Sequence, residues 1–287
     1  MSRVAYVNGR YVPHRNAMVH VEDRGYQLGD GIYEVIEIFD GSMIDETRHL
    51  ARMHRSLNAL SISAPMSDAA LKYVLRETVR RNRVNYGGLY LQITRGAARR
   101  EHVFPDPQPM PALVVIARST DPRRNDAAAT IGARVITMPD LRWARVDIKT
   151  IGLLPNVLAK QAAKQAGARE AWLVDQSGFV TEGGSTNAWI VTPDGQLVTR
   201  PADYGILRGV TRTTVMDLAA ELGLSITERP FTVAEAKAAR EAFMTAATTM
   251  VMPVVFIDDV PVGDGRPGPL ALKLRGKFHQ FAETSGR

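Results

Sequence analysis

Asp147-Ile148-Lys149-Thr150 is followed further along the chain by Val180-Thr181-Glu182-Gly183-Gly184-Ser185-Thr186-Asn187, and later by Gly205-Ile206-Leu207-Arg208-Gly209-Val210-Thr211-Arg212. The order of these strings decides how the chain is read. It is one lysine, then one acid in a Gly/Ser/Thr turn, then a Gly-Val-Thr sequence that opens a helix. Lys149 supplies an amine for an aldehyde, and Glu182 an anion for a protonated ring nitrogen. The helix opening at Val210 supplies free amides and the positive end of a dipole for a phosphate. Those are the three needs of a pyridoxal phosphate (PLP) site.

Working outward, strands and helices alternate on both sides of these strings. A hairpin is predicted at Val4 to Val7 and Arg10 to Val12 around Asn8-Gly9. Ile32 to Phe39 reads as a strand ended by Asp40-Gly41. Leu50, Met53, Leu57 and Leu60 recur at helical spacing over Glu46 to Leu60. Asp68 to Arg81 reads as a second helix with Ser67 as N-cap, and Leu89 to Thr94 and Ala112 to Ala117 as strands. The polar, breaker-rich Ser119 to Asp126 is the expected linker. Beyond it come a strand at Ala133 to Thr137, a helix at Pro155 to Ala166, and strands at Ala171 to Val174, Asn187 to Val191 and Gln196 to Thr199. A helix at Val210 to Leu222, strands at Glu241 to Thr245 and Val254 to Ile257, and a helix at Leu270 to Phe281 complete the reading. The expected architecture is a mixed α/β (α+β) chain of two domains. Residues 1–120 form a smaller N-terminal domain, 121–127 a linker, and 128–287 a larger cofactor-binding domain, with the site in the cleft between them.

The composition suits this reading. The chain has 287 residues, 45% hydrophobic and 23% charged, enough to build a sizeable core. It lacks a long apolar run, so no membrane span is expected, and the alternation that starts at Val4 argues against a signal peptide. The absence of cysteine excludes disulfides, a thiol nucleophile and thiolate metal sites, and fits a reducing, cytoplasmic setting. No metal ligand set is expected. The net charge of +6 raises nucleic-acid binding as an alternative. The basic residues are scattered, however, and the densest run, Arg80-Arg81-Asn82-Arg83, ends a predicted helix, where cations complement the dipole.

The three strings and their order resemble the branched-chain and D-amino acid aminotransferases, the fold type IV PLP enzymes, and the resemblance runs nearly end to end. It implies that Lys149 is the lysine that joins the cofactor, and that Glu182 is the partner of the ring nitrogen. The semi-apolar surroundings of Lys149, from Trp143 to Leu154, would favour the neutral amine and so the imine. Ser185, Thr186 and Asn187 belong to a turn that wraps around the cofactor. Leu207 packs on the ring face. Arg52, in His49-Leu50-Ala51-Arg52-Met53, resembles the family's phosphate arginine; read without that resemblance it is a helix-surface arginine facing Glu46 or Asp45. Val210 and Thr211 at the helix start, and Thr248 in Thr245-Ala246-Ala247-Thr248-Thr249, complete the phosphate contacts. Lys160 and Lys164, four apart, read as a solvated helix face.

The first domain carries the residues that choose the substrate. Arg95 to Pro105 looks like the D-amino acid aminotransferase loop in which an Arg-x-His pair, here Arg100 and His102, holds the substrate carboxylate. Glu101 between them should point away. Tyr33 would be a third donor, and Val35, on the same strand face, a pocket wall. The resemblance therefore implies a PLP-dependent transaminase acting on D-amino acids and 2-oxo acids, working as a homodimer with shared sites. The (R)-amine and branched-chain L-amino acid transaminases of the same fold remain alternatives, and a basic, non-catalytic binding protein is a third.

Overall fold

The structure is a computed structural model that describes residues 3–285. The chain divides into two compact units, the first made of residues 3–122, 148–152 and 283–285, and the second of residues 123–147 and 153–282. The chain first passes out of unit 1 after Pro122. Two short segments expected with the second domain, 148–152 and 283–285, cluster with the first. The breaker-rich linker also begins a helix, because Pro122 is well suited to a helix's first turn, where no amide is needed.

Unit 1 contains β1 (Val4–Val7), β2 (Arg10–Pro13), α1 (Arg24–Leu28), β3 (Gly31–Phe39), β4 (Ser42–Ile44), α2 (Glu46–Ala59), α3 (Asp68–Asn82), β5 (Gly87–Thr94) and β6 (Ala112–Ser119). Its sheet runs β16-β4-β3-β5-β6-β1-β2 among the described residues, with β16 (Thr284–Ser285) returning from the chain end to pair with β4. In β3 Ile32, Ile36 and Ile38 are buried and Tyr33, Val35 and Phe39 half-buried, the two-residue period of a one-sided strand. Glu34 lies on the core side with the isoleucines and is fully buried. Helix α2 presents Leu50, Met53 and Leu57 to the core formed by these strands and α3. Ser67 caps α3 by accepting from the Ala70 amide, as the sequence predicts.

Unit 2 contains α4 (Pro122–Ile131), β7 (Ala133–Pro139), α5 (Leu154–Gln165), β8 (Glu170–Val174), β9 (Val180–Gly183), β10 (Asn187–Val191), β11 (Leu197–Thr199) and α6 (Val210–Glu221). After these come β12 (Ile226–Glu228), α7 (Val233–Ala238), β13 (Glu241–Ala246), β14 (Met250–Ile257), β15 (Val260–Pro261) and α8 (Pro269–Phe281). The sheet order is β12-β11-β10-β13-β14-β7-β8-β9, with β15 on β14. Trp172, Phe231, Ile190, Met244 and Met252 anchor its core. Helix α7, absent from the sequence reading, is set by a Thr232/Glu235 capping box. No helix among the described residues is long and apolar enough to cross a membrane.

Candidate active site

In unit 1, Tyr33 and Lys149 come together. The Tyr33 amide donates to the Lys149 carbonyl at 3.0 Å, and the Lys149 ammonium lies 4.2 Å from the centre of the Tyr33 ring, a cation–π geometry. Tyr33 is braced from its other neighbour by Tyr90, with ring centres 5.7 Å apart. The Lys149 amide donates to Ser56 Oγ, which ties this short segment to α2. The lysine is half-buried, and Val35 lies on the same half-buried face of β3 as Tyr33.

Arg52 is buried rather than on the helix surface, and Glu46 pairs with Arg76. Arg52 Nε and Nη2 donate to the two carboxylate oxygens of Glu34 at 2.8 and 2.6 Å, and His49 Nδ1 shares the second oxygen at 2.8 Å. Burial alone would raise the Glu34 carboxyl, but the Arg52 charge and the hydrogen bonds from Arg52 and His49 outweigh it and hold the group at about 2. Burial pushes His49 the other way, below its usual value, against the pull of Glu34. Glu34 and His49 were not among the sequence candidates. The available signal was an acid at an inward position of β3.

In unit 2, Glu182 is on strand β9 and buried, not in an exposed turn; the turn begins after Gly183. Its carboxylate accepts from Asn187 Nδ2 at 2.8 Å and from the Leu207 amide at 3.2 Å to each oxygen, and it pairs with Arg142. Asn187 donates to the Leu207 carbonyl as well. Leu207 therefore meets Glu182 through its backbone. Arg142, also missed, is set in place by Asp140, which accepts from Nε at 2.9 Å and from Nη2 at 2.7 Å. Thr181 Oγ1 donates to Asp140. Burial disfavours the Arg142 charge, but Asp140 and Glu182 prevail and raise its pKa.

Helix α6 opens at Val210 behind Gly209, with no side chain capping its first amides. A Cβ on Gly209 would sit 2.0 Å from Asn187 Oδ1, so glycine lets the helix start lie against Asn187. Val210 and Thr211 are buried in the first turn. Thr186 Oγ1 is buried with no hydrogen-bond partner among the described residues. Ser185 donates instead to Glu170 at 2.7 Å. Thr248 is exposed in the turn between β13 and β14, where its carbonyl accepts from Asn125. Lys160 is not simply solvated: its ammonium donates to the Arg169 carbonyl and pairs with buried Glu170. Arg100 and His102 are exposed on the loop after β5, and the Glu101 carboxylate between them lies 4.0 Å from Arg99 Nε.

A family model described as amino-transferase class IV matches residues 31–257. The chain belongs to this family. It is 38% identical to a D-alanine aminotransferase of Listeria innocua, over 95% of this chain and 93% of that protein. It is 37% identical to a D-alanine aminotransferase of Staphylococcus haemolyticus, over 97% and 98% of the two chains. Its fold is similar to a T.th. branched-chain amino acid aminotransferase solved with pyridoxamine 5'-phosphate, with a TM-score of 0.89 and 29% identity over 98% of this chain and 94% of that one.

Proposed function

We propose that the chain is a PLP-dependent D-amino acid transaminase, moving the amino group of a D-alanine-like donor to a 2-oxo acid such as 2-oxoglutarate. The observation that carries this reading is the Lys149 ammonium against the Tyr33 ring, in a chain similar over nearly its whole length to D-alanine aminotransferases. Two features suit the cofactor. Thr186 Oγ1 is a buried hydroxyl without a partner among the described residues, and α6 begins with amides that no side chain caps. When bound, the cofactor supplies a reactive aldehyde and a ring that withdraws electrons from the substrate.

The rest is performed by the chain. Lys149 would take the proton from the donor's Cα and hand it on to the cofactor within the same half of the exchange, and would carry a proton the opposite way in the return half. Glu182 offers its carboxylate to the ring nitrogen, and Arg142, Asn187 and the Leu207 amide hold that carboxylate in one orientation. Arg52, the first amides of α6, Thr211 and Thr248 would hold the phosphate, while Ser185 and Thr186 would line the cofactor. Tyr33, Arg100 and His102 take the substrate carboxylate and Val35 shapes the wall, so that a D-substrate turns its Cα–H toward the lysine.

The same proposal includes a homodimer with shared sites and a cytoplasmic location. Exposed Met18, Val21, Tyr26 and Met110 in unit 1 support a covered face, and a chain without cysteine suits a reducing compartment. The test is spectroscopic. Lys149→Ala should abolish both the absorbance band of bound cofactor and turnover; survival of both would sink the assignment. D-alanine alone should bleach the band of the wild-type protein. Bleaching by L-leucine or (R)-1-phenylethylamine in its place would move the chain to the branched-chain or amine transaminases.

A further inference from the structure

Unit 1 holds a buried charge cluster that the chemistry above does not use. Asp30, at the entry to β3, accepts from Arg24 Nε and Arg95 Nε at 2.7 Å each, and from Arg95 Nη2 at 3.1 Å. Both arginine side chains are almost wholly buried. Two buried guanidiniums facing one carboxylate leave a surplus positive charge, which must be met by further acceptors. Those acceptors are backbone carbonyls. Arg95 donates to Ser61 and Leu60 at 3.0 and 2.7 Å. Arg24 Nη1 donates at 2.7 Å to the carbonyl of Glu101, the residue between Arg100 and His102.

The cluster grips the loop at several other points. The Arg95 guanidinium stacks on the Phe104 ring at 3.7 Å, the Arg24 amide donates to the Gly96 carbonyl, and the Arg95 amide donates to the Asp30 carbonyl. At its other end Asp30 precedes β3, the strand that carries Tyr33. One carboxylate therefore connects the strand of Tyr33 to both ends of the Arg100–His102 stretch.

We propose that Asp30, acting through Arg24 and Arg95, is a positioning residue that sets the Arg100–His102 loop in its substrate-binding conformation. The inference rests on the carboxylate-binding reading of that loop. An exposed loop bearing two donor side chains would otherwise sample many conformations, each at an entropic cost when a carboxylate binds. Fixing the carbonyl between the donors orients both side chains before the substrate arrives.

The test uses the PLP-loaded enzyme, with propionate as a non-reacting carboxylate probe competing against D-alanine. Asp30→Asn should raise the propionate inhibition constant and the D-alanine KM about tenfold, with kcat changed much less and the bound-cofactor spectrum retained. Phe104→Ala, at an exposed position that does not threaten folding, should raise both constants several-fold and decides the matter if Asp30→Asn does not fold. Arg100→Ala is measured alongside. If it raises the inhibition constant while folded Asp30→Asn and Phe104→Ala do not, the positioning role is wrong and the carboxylate reading stands. If Arg100→Ala leaves the constant unchanged, the carboxylate reading fails and the positioning role fails with it.

Discussion

The two units each bury a strand carboxylate against an arginine, and they use the pair in opposite senses. In unit 1, Glu34 on β3 is fully buried and consumed by Arg52 and His49. Here the carboxylate is the support, and the arginine is the group proposed to meet the phosphate. In unit 2, Glu182 on β9 is the group proposed to meet the cofactor, and Arg142 supports it while being held by Asp140. The lesson is that a buried ion pair reads as structural or functional only when its third member is known. Both carboxylates are met by donors on each oxygen. The support of Glu182 is itself anchored by another acid, Asp140, so its geometry survives when the carboxylate engages a ligand.

Substitutions at the two pairs sharpen the contrast. Glu182→Gln should lower turnover about 10²–10³-fold, since a fixed charge at the reacting system is lost, with a smaller fall in melting temperature than Glu34→Gln because Arg142 keeps Asp140 as its counterion. A severe loss of stability with intact activity would reverse the proposed senses. Glu34→Gln should do the opposite first. The Glu34 carboxyl falls from its ordinary 4.5 to about 2 on folding, which corresponds to stability on the order of 3 kcal/mol. Because its folded pKa lies below the unfolded one, that stability is complete above about 4.5 and is lost as pH falls toward 2. His49, also depressed on folding, loses its contribution in the same direction as pH drops below 6.5. Urea unfolding from pH 7 to pH 3 should therefore show an acid-weakened wild type and a flatter, lower curve for Glu34→Gln. Equal slopes would remove Glu34 as the source. The smallest effect is expected from Arg142→Lys, which keeps the charge and loses the paired hydrogen bonds to Asp140: roughly a tenfold drop in turnover, measured with cofactor affinity as the second readout. A wild-type rate would mean that Arg142 merely packs against Glu182.

Much of this was legible in the chain. The Lys149, Glu182 and Val210 strings each carry their chemistry within a few residues, and the alternation in Ile32 to Phe39 and the spacing of Leu50, Met53 and Leu57 give the faces of β3 and α2 directly. What escaped were partners distant in sequence. Arg142 and Glu182 are forty residues apart, and Asp30 and Arg95 sixty-five. Local patterns also misled where two signals competed: Pro122 and its polar neighbours read as a linker, although proline at a first turn starts a helix as readily as it ends one.

By itself the sequence determined which side chains could do chemistry, which elements carry them and which family they resemble, because periodicity, caps and short motifs are local properties of the backbone. Only the tertiary structure decided which charges are buried, that Glu34 holds Arg52, that Asp140 and Arg142 hold Glu182, and that Asp30 joins the strand of Tyr33 to the loop of Arg100 and His102. A buried charge is tolerated only when its partner arrives in the right geometry, and that arrival depends on how the strands pair and the helices pack.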